Sequence, residues 1–249
     1  MLALWLSIIV IVPFDIQTID SKKEGDSYEI LVKRMVNIGK EHIQNSGKIR
    51  DYCSIMLSKL LTRPDVIKQG ETAAFLKEMA KLYVESKEDT SQMFRVSGIL
   101  QTLVEIFKIG HREDFLGMID ILFEPILQSE VKNKFMAKST IIRKNRVKLA
   151  QRIGCIFLKP RVAAWRYQRG SRTLNHLAEQ EQATNQEAVE EDEEMLEEED
   201  VDFEQLEFII QLLLESLKDE DNVVRWTSAK GLGRITQRLT KDFADQIVE

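Results

Sequence analysis

Residues 203–239 read FEQLEFIIQLLLESLKDEDNVVRWTSAKGLGRITQRL, and this stretch decides the fold. Apolar side chains recur in it at the three- and four-residue spacing of a helix face, first over residues 203–217 and again over 224–239. An acidic turn separates the two runs, and its Asp219 and Asp221 lie where carboxylates favour a helix N-terminus. The pattern predicts two helices, and each needs neighbours to cover its apolar stripe.

Small residues in the second helix predict that two helix backbones approach closely. They are Ser228, Ala229, Gly231 and Gly233. The spacing Asp-x-x-Val-Arg followed by Leu-Gly resembles the second half of a HEAT repeat, a helix pair of about 40 residues that stacks into a solenoid. The residues that carry this structural signature are Asp221, Val224, Arg225, Leu232 and Gly233. We therefore predict an all-α fold, a HEAT/armadillo-like α-solenoid of antiparallel helix pairs.

Composition supports this fold class. The chain has 249 residues with 11 Gly and 4 Pro, too few turn-formers for a many-stranded β fold, and 43% hydrophobic residues suffice for a core. We expect roughly ten helices in about five pairs, with a glycine C-cap at Gly110 and a kink or early end at Pro125. Apolar stripes predict helices over residues 28–38, 52–61, 76–83, 96–107, 115–126 and 142–157.

The expected organisation has three parts. Residues 1–184 form helical HEAT-like repeats, residues 185–202 form an acidic disordered loop, and residues 203–249 form a further HEAT repeat in an array that we expect to be truncated. The apolar opening, residues 1–12, is too short to span a bilayer, and we expect a buried helix that ends at Pro13 and no transmembrane segment. Its apolar side chains suggest that a neighbour on the N-terminal side is missing.

Charge is distributed in blocks. Residues 132–172 contain thirteen Lys or Arg and no acid, whereas residues 187–202 contain eleven acids and no base. The basic block predicts either a docking surface for an acidic partner or a set of solvated helix faces whose charge is screened within about 8 Å. The acidic block would then fold back as an internal competitor. The candidate partner-binding face comprises Lys132, Lys134, Lys138, Arg143, Lys144, Arg146, Lys148, Arg152, Arg161, Arg166, Arg169 and Arg172.

No set of residues assembles an active site. Gly47-Lys48 lacks the other residues of a phosphate loop, and the three histidines have no ligand or nucleophile at useful spacing. Cys53 and Cys155 are too few for a disulfide framework or a metal cluster, so a reducing cytosolic setting fits best. The sequence thus predicts a protein that is not an enzyme and that holds no cofactor and no metal.

Two segments carry a specific resemblance. Residues 157–172, FLKPRVAAWRYQRGSR, and residues 221–234, DNVVRWTSAKGLGR, stand on either side of the acidic stretch. In that arrangement they closely resemble the tubulin-folding cofactor D family, also called tubulin-specific chaperone D. The opening residues 4–15 are similar to a segment inside the family's N-terminal HEAT array, so the resemblance covers essentially the whole chain.

The resemblance implies a cytoplasmic, cytoskeleton-associated scaffold. Members of this family capture β-tubulin, act with tubulin-folding cofactors C and E and an Arf-like small GTPase, and stimulate GTP hydrolysis by tubulin without an active site of their own. Acidic tubulin suits the basic block, whereas nucleic acid is not an expected partner. Two alternatives stay open: a HEAT-type transport or nucleic-acid adaptor that uses residues 132–172, or an inactive fragment, because family members are much longer.

Overall fold

The computed structural model describes residues 2–19, 31–160 and 203–248, and every regular element in these ranges is helical. The α-helices are α1 (Leu2–Ile9), α2 (Leu31–Ile43), α3 (Lys48–Leu61), α4 (Pro64–Lys68), α5 (Glu71–Ser86), α6 (Met93–Ile109), α7 (Arg112–Phe115), α8 (Asp120–Leu122), α9 (Lys134–Lys138), α10 (Thr140–Phe157), α11 (Phe203–Ser216), α12 (Asn222–Thr236) and α13 (Lys241–Val248). Three 3₁₀ turns (Ile16–Ile19, Thr90–Gln92, Leu116–Met118) and a π-helical segment (Phe123–Gln128) complete the set. The prediction of an all-α solenoid is confirmed.

The helices form two layers. In the first layer α1, α3, α6, α10 and α12 pack side by side in that order. The second layer covers one side of it, with α2 against α3, α5 against α6 and the π-helical segment, and α11 against both α10 and α12. This is the arrangement in which each helix pair buries its apolar stripe on the next pair.

Polar contacts fix the register between neighbours in the first layer. The hydroxyls of Ser54 on α3 and Thr102 on α6 lie 3.0 Å apart, 48 residues apart in sequence, and Arg152 on α10 donates to the carbonyl of Val104, again 48 residues away. The corresponding contact between α10 and α12 joins residues that are 81 apart in sequence, since the Thr140 hydroxyl donates to Asp221 at 2.8 Å. The acid-rich stretch lies between these two helices in sequence, and they still pack as neighbours.

The predicted apolar stripes form one continuous core. On α5 Leu76, Met79 and Tyr83 are all at most 1% exposed, and the same holds for Leu100 and Leu103 on α6. Along α12 and the turn that follows it, all residues of the predicted stripe are buried: Val224, Ser228, Leu232, Ile235 and Leu239. Three- and four-residue spacing therefore located most of the buried faces correctly, although Ile38 on α2 and Phe203 on α11, both on predicted stripes, are 47% and 49% exposed.

Residues 115–126 do not form the single amphipathic helix that the sequence predicts. The chain breaks into α7, a 3₁₀ turn, α8 and the π-helical segment. Pro125 lies inside that last segment, and since proline has no N–H and its ring clashes with the preceding turn, regular α-helical bonding stops there. The helix before this region ends at Ile109 as predicted, but Gly110 has φ −57° and is not a left-handed cap. A Cβ on Gly110 would lie 2.7 Å from the Phe115 ring, so its small size is needed for packing.

The N-terminal helix α1 is not the buried helix that was expected. Only one of its sides contacts α3, and Leu2, Trp5 and Ile8 are 82%, 66% and 62% exposed. The chain that follows α1 is held by Arg63, whose guanidinium donates to the carbonyls of Val10, Val12 and Phe14 at 2.6–2.8 Å and pairs with Asp65.

The repeat signature near the C-terminal end has distinct local roles. Asp221 is the N-cap of α12 and accepts the Val223 N–H at 2.8 Å. This bond and the one from Thr140 hold the pKa of the Asp221 carboxyl below its usual range. Arg225 donates to the carbonyl oxygens of the turn before α12. Val224 and Leu232 lie in the core.

The close approach predicted for the small residues depends on only two of them. The hydroxyl of Ser228 donates to the carbonyl of Leu213 on α11, and a Cβ on Gly231 would meet Gln151 at 3.2 Å. A Cβ on Gly233 would meet nothing within 4 Å, so this glycine is not needed for packing.

Candidate protein-interaction surface

Two rows of basic side chains reach the surface on neighbouring helices of the first layer. On α10, Lys144, Lys148 and Arg152 follow one another at four-residue intervals, and on α12 Lys230 and Arg234 have the same spacing. Residues four apart lie on one face of a helix, and α10 packs directly against α12. We define the cationic surface as these residues together with the last lysine of α6: Lys108, Lys144, Lys148, Arg152, Lys230 and Arg234.

The charges of this surface act on one another. Burial lowers the pKa of the Lys148 ammonium, and the positive charges of Lys144 and Arg152 lower it further. The pKa of Arg152 is lowered first by burial and also by Arg234 across the α10–α12 contact. Glu105 opposes both shifts, and its carboxylate lies 3.8 Å from Arg152. The surface is therefore a crowded set of cations around one carboxylate, with an uncompensated positive potential.

A groove of about 490 Å³ opens where α6, α10 and α12 end. Five cationic side chains line it, and none of its described lining residues is acidic. The cationic lining residues are Lys108, Arg112, Arg152, Arg234 and Arg238. His111 and the half-buried Cys155 lie on the same walls. Burial raises the pKa of the Cys155 thiol, while the surrounding arginines lower it in part.

Three of the groove arginines hold helix ends together. Arg238 donates to the carbonyls of Cys155 and Leu158, Arg112 donates to that of Phe157, and Arg152 donates to that of Val104. The bonds to Cys155, Phe157 and Leu158 satisfy carbonyl groups that the C-terminal end of α10 leaves without partners, whereas the Val104 carbonyl lies inside α6. The walls of the groove are thus fixed by the fold.

Other side chains of the cationic surface do not bond to the rest of the fold in this way. Lys144, Lys148, Lys230 and Arg234 form no ion pair or hydrogen bond with the described part of the chain. Lys108 is 57% exposed and lies 3.1 Å from Glu105. These side chains are available to an external anion.

The structure divides the twelve residues of the candidate partner-binding face into four groups. Lys132, Lys134 and Lys138 are exposed around α9, and Arg161, Arg166, Arg169 and Arg172 lie outside the described residues. Lys144, Lys148 and Arg152 belong to the cationic surface. Arg143 and Arg146 stabilise the fold instead.

Both of these stabilising arginines are half-buried on α10. The Arg143 Nε lies 3.0 Å from an Asp219 carboxylate oxygen, which ties α10 to the turn before α12. Arg146 donates to the carbonyl of Leu127 at 2.5 Å.

Sequence reasoning missed Lys108, Lys230 and Arg234. They lie outside the contiguous basic block, and the cationic surface exists only because α6, α10 and α12 are spatial neighbours. The available signal was the four-residue spacing of Lys230, Arg234 and Arg238. That spacing places them on the same side of α12 as Trp226, which is 72% exposed.

The chemistry that this surface offers is electrostatic attraction of anions. No cluster of three or more His, Cys, Asp or Glu that could hold a metal occurs among residues 2–19, 31–160 and 203–248. In the same ranges no helix combines the length and the apolarity that crossing a bilayer requires. The exposed Trp226 and the neighbouring Arg234 are of the residue types that are enriched at protein interfaces.

The chain matches two family models of one kind. Residues 1–83 match the model described as tubulin-specific chaperone D-like, ARM repeat, and residues 141–249 match the model described as tubulin-specific chaperone D-like, ARM repeats. The second match contains α10 and α12, the two helices that carry most of the cationic surface.

Curated relatives give the same result over the whole chain. Tubulin-specific chaperone D of Dictyostelium discoideum is 33% identical over 99% of this chain and 18% of its own length. Tubulin-folding cofactor D of Schizosaccharomyces pombe is 26% identical over 99% of this chain and 20% of its own length. The chain thus spans about a fifth of the length of these relatives. No solved structure gives a significant match. The chain belongs to the tubulin-specific chaperone D-like family of ARM-repeat proteins.

Proposed function

We propose that the chain is a non-catalytic part of a tubulin-folding cofactor and binds β-tubulin through the solvent-facing side of its first layer. The observation that supports this most is the cationic surface, which carries at least four cations without partners in the described part of the chain. An acidic protein cargo complements such a surface, and complementary charge increases both association rate and specificity. Relatives of the chain are named for tubulin, which supplies the candidate cargo.

The finer parts of this proposal follow the family resemblance. The chain acts in the cytoplasm, in association with the cytoskeleton, during assembly and disassembly of the αβ-tubulin heterodimer. Tubulin-folding cofactors C and E and an Arf-like small GTPase are its other partners. The assembled complex, and not this chain alone, stimulates GTP hydrolysis by tubulin, because the described residues present no convergent catalytic groups.

Capture from cytosol tests this proposal. The immobilised chain should retain β-tubulin, and the double substitution Lys148→Glu with Arg234→Glu should lower retention about tenfold, since each change replaces an attraction by a repulsion. A matched control, Lys68→Glu with Lys77→Glu, alters net charge equally at exposed positions on α4 and α5 and should retain tubulin normally.

Three results would contradict the proposal. The first is no tubulin retained by the unsubstituted chain, and the second is equal retention by both double variants. The third is bound nucleic acid, with all retained material released by nuclease, which would favour the adaptor alternative.

A further inference from the structure

The groove at the ends of α6, α10 and α12 has the features of a built anion site. Arginines bonded to helix-end carbonyls fix its walls, while Arg234 and Lys108 stand at its rim with exposed charges. Its volume of about 490 Å³ is in the range of ligand-binding clefts. Its position brings together cations from three separate helices, so an occupant with several anionic groups can contact them at once.

The described lining favours a polypeptide over a nucleic acid. The described lining contains two aromatic rings, Phe107 and the exposed imidazole of His111. Phe107 is 3% exposed and packed edge-on against Phe115 at 5.3 Å, so it is not available to stack a base. His111 alone does not provide the series of rings on which successive bases of a single strand stack. Guanidinium groups match the planar carboxylates of Asp and Glu with two parallel hydrogen bonds, as they also match phosphates, so the preference for a polypeptide rests on the lack of a stacking platform.

We propose that this groove binds a carboxylate-rich, extended segment of the partner polypeptide, with Arg234 and Lys108 pairing with its side-chain carboxylates. This inference rests on the proposed function for the identity of the partner, whereas the chemistry of the site does not depend on it. The remaining cations, the exposed Lys230 and the half-buried Lys144 and Lys148, continue the positive potential along α10 and α12 and attract neighbouring acids of the same segment.

A labelled deca-glutamate peptide tests the site directly. Fluorescence anisotropy at about 0.05 M salt should show binding that falls steeply as salt rises, because the screening length shortens to about 3 Å at 1 M. A deca-glutamine peptide should not bind. Arg234→Glu should weaken deca-glutamate binding about tenfold, and Lys108→Ala should weaken it about threefold. The Lys68→Glu, Lys77→Glu control should bind like the unsubstituted chain.

Alkylation of the two cysteines locates the bound peptide. Cys155 lines the groove, whereas Cys53 is fully buried and serves as an internal reference. Because the thiolate reacts and burial raises the Cys155 pKa, labelling is run at about pH 8.5. Deca-glutamate should slow labelling of Cys155 severalfold in the unsubstituted chain and not in the Arg234→Glu variant.

Several outcomes would overturn the inference: unchanged binding by Arg234→Glu, unprotected Cys155, or a deca-thymidylate strand that competes as well as deca-glutamate. The chain's own acids at 187–202 could occupy the groove, so the titration is repeated after these eleven acids are replaced by Gln or Asn. Binding gained on replacement supports the site, and absence of binding in both forms refutes it.

Tubulin capture by the same variants separates this inference from the proposed function. If tubulin is retained but deca-glutamate does not bind, the proposed function stands and the groove site is refuted. If deca-glutamate binds through Arg234 but tubulin is not captured, the groove site stands and the proposed function is refuted.

Discussion

The contact between α3 and α6 and the contact between α10 and α12 occupy equivalent places in the first layer but use their polar residues differently. Between α3 and α6, polar groups face each other: Ser54 meets Thr102, and Gln101 donates to Asp51 at 2.6 Å. Along α10 and α12 the approach is made through Gly231, and cations are left on the open face. The polar groups of the first contact pair with one another, whereas the second contact pairs Thr140 with Asp221 and also leaves cations on the open face without a partner in the described part of the chain.

The largest expected effect lies beside the α3–α6 contact, where α6 meets the C-terminal end of α2. A Cβ on Gly98 would lie 1.9 Å from the Ile43 carbonyl oxygen, a backbone atom that cannot move aside. Gly98→Ala should lower the free energy of unfolding by about 3 kcal/mol. Gly233→Ala is the matched control in α12, and because it meets only open space it should raise stability by about 0.5–1 kcal/mol through helix propensity. Urea denaturation of both variants checks this, and a loss of equal size in both would contradict it.

A second test extends the comparison to the α1 end of the first layer. Arg63→Ala removes charge-assisted bonds to three carbonyls and leaves Asp65 without its cation, so unfolding should become easier by about 2 kcal/mol. Lys59→Ala, in the same contact, loses one bond to the Ser7 carbonyl and should cost less than about 1 kcal/mol. Similar denaturation midpoints for the two variants would show that the Arg63 bonds do not hold this region.

Acid should weaken the Arg63 region in a defined direction. Burial alone would raise the pKa of Asp65, but its bonds to Arg63 and to the Ile16 N–H more than offset this, so the pKa lies below its usual range. Since the folded-state pKa is depressed, the stabilisation is complete above the unfolded-state value of about 3.9 and is lost as pH falls through the folded-state value. The stability difference between the unsubstituted chain and Asp65→Asn, about 1 kcal/mol at neutral pH, should therefore shrink below about pH 4. In an Arg63→Ala background the same difference should depend less on pH, and an unchanged pH dependence would exclude Arg63 as the cause.

The smallest expected stability effect lies on the open face. Arg234→Ala should change the free energy of unfolding by less than about 0.5 kcal/mol, because its side chain is exposed and bonds to no described residue. Thermal denaturation measures this alongside deca-glutamate binding, which should fall. If Arg234→Ala destabilised the chain about as much as Arg63→Ala does, Arg234 would stabilise the fold and would not be free to bind a partner.

The sequence predicts the fold well because the decisive signal is local. Spacing of Val224, Leu232 and Ile235 defines a helix face that can be recognised without knowing its neighbours. The cationic surface cannot be derived in this way, since Lys108 and Arg234 become neighbours of Arg152 only through packing of three helices. For the same reason the basic block did not reveal that Arg143 pairs with Asp219. The sequence predicts an interruption at Pro125 but not the earlier breaks at Leu116–Met118 and Phe123, because the apolar spacing there continues after the backbone bonding has changed.

The paired helices α10 and α12 have a consequence for how the chain tolerates change. Their alignment is fixed at one end by Thr140 with Asp221 and at the other by Arg238 with the Cys155 carbonyl. Because α10, α11 and α12 align through direct contacts, the length of the sequence between residues 160 and 203 need not specify that alignment, and lengthening a connection adds only a slowly growing entropic cost. This joint is accordingly a site where a reporter domain can be inserted, or where related chains can gain and lose residues over evolution, while the stacking on either side is preserved.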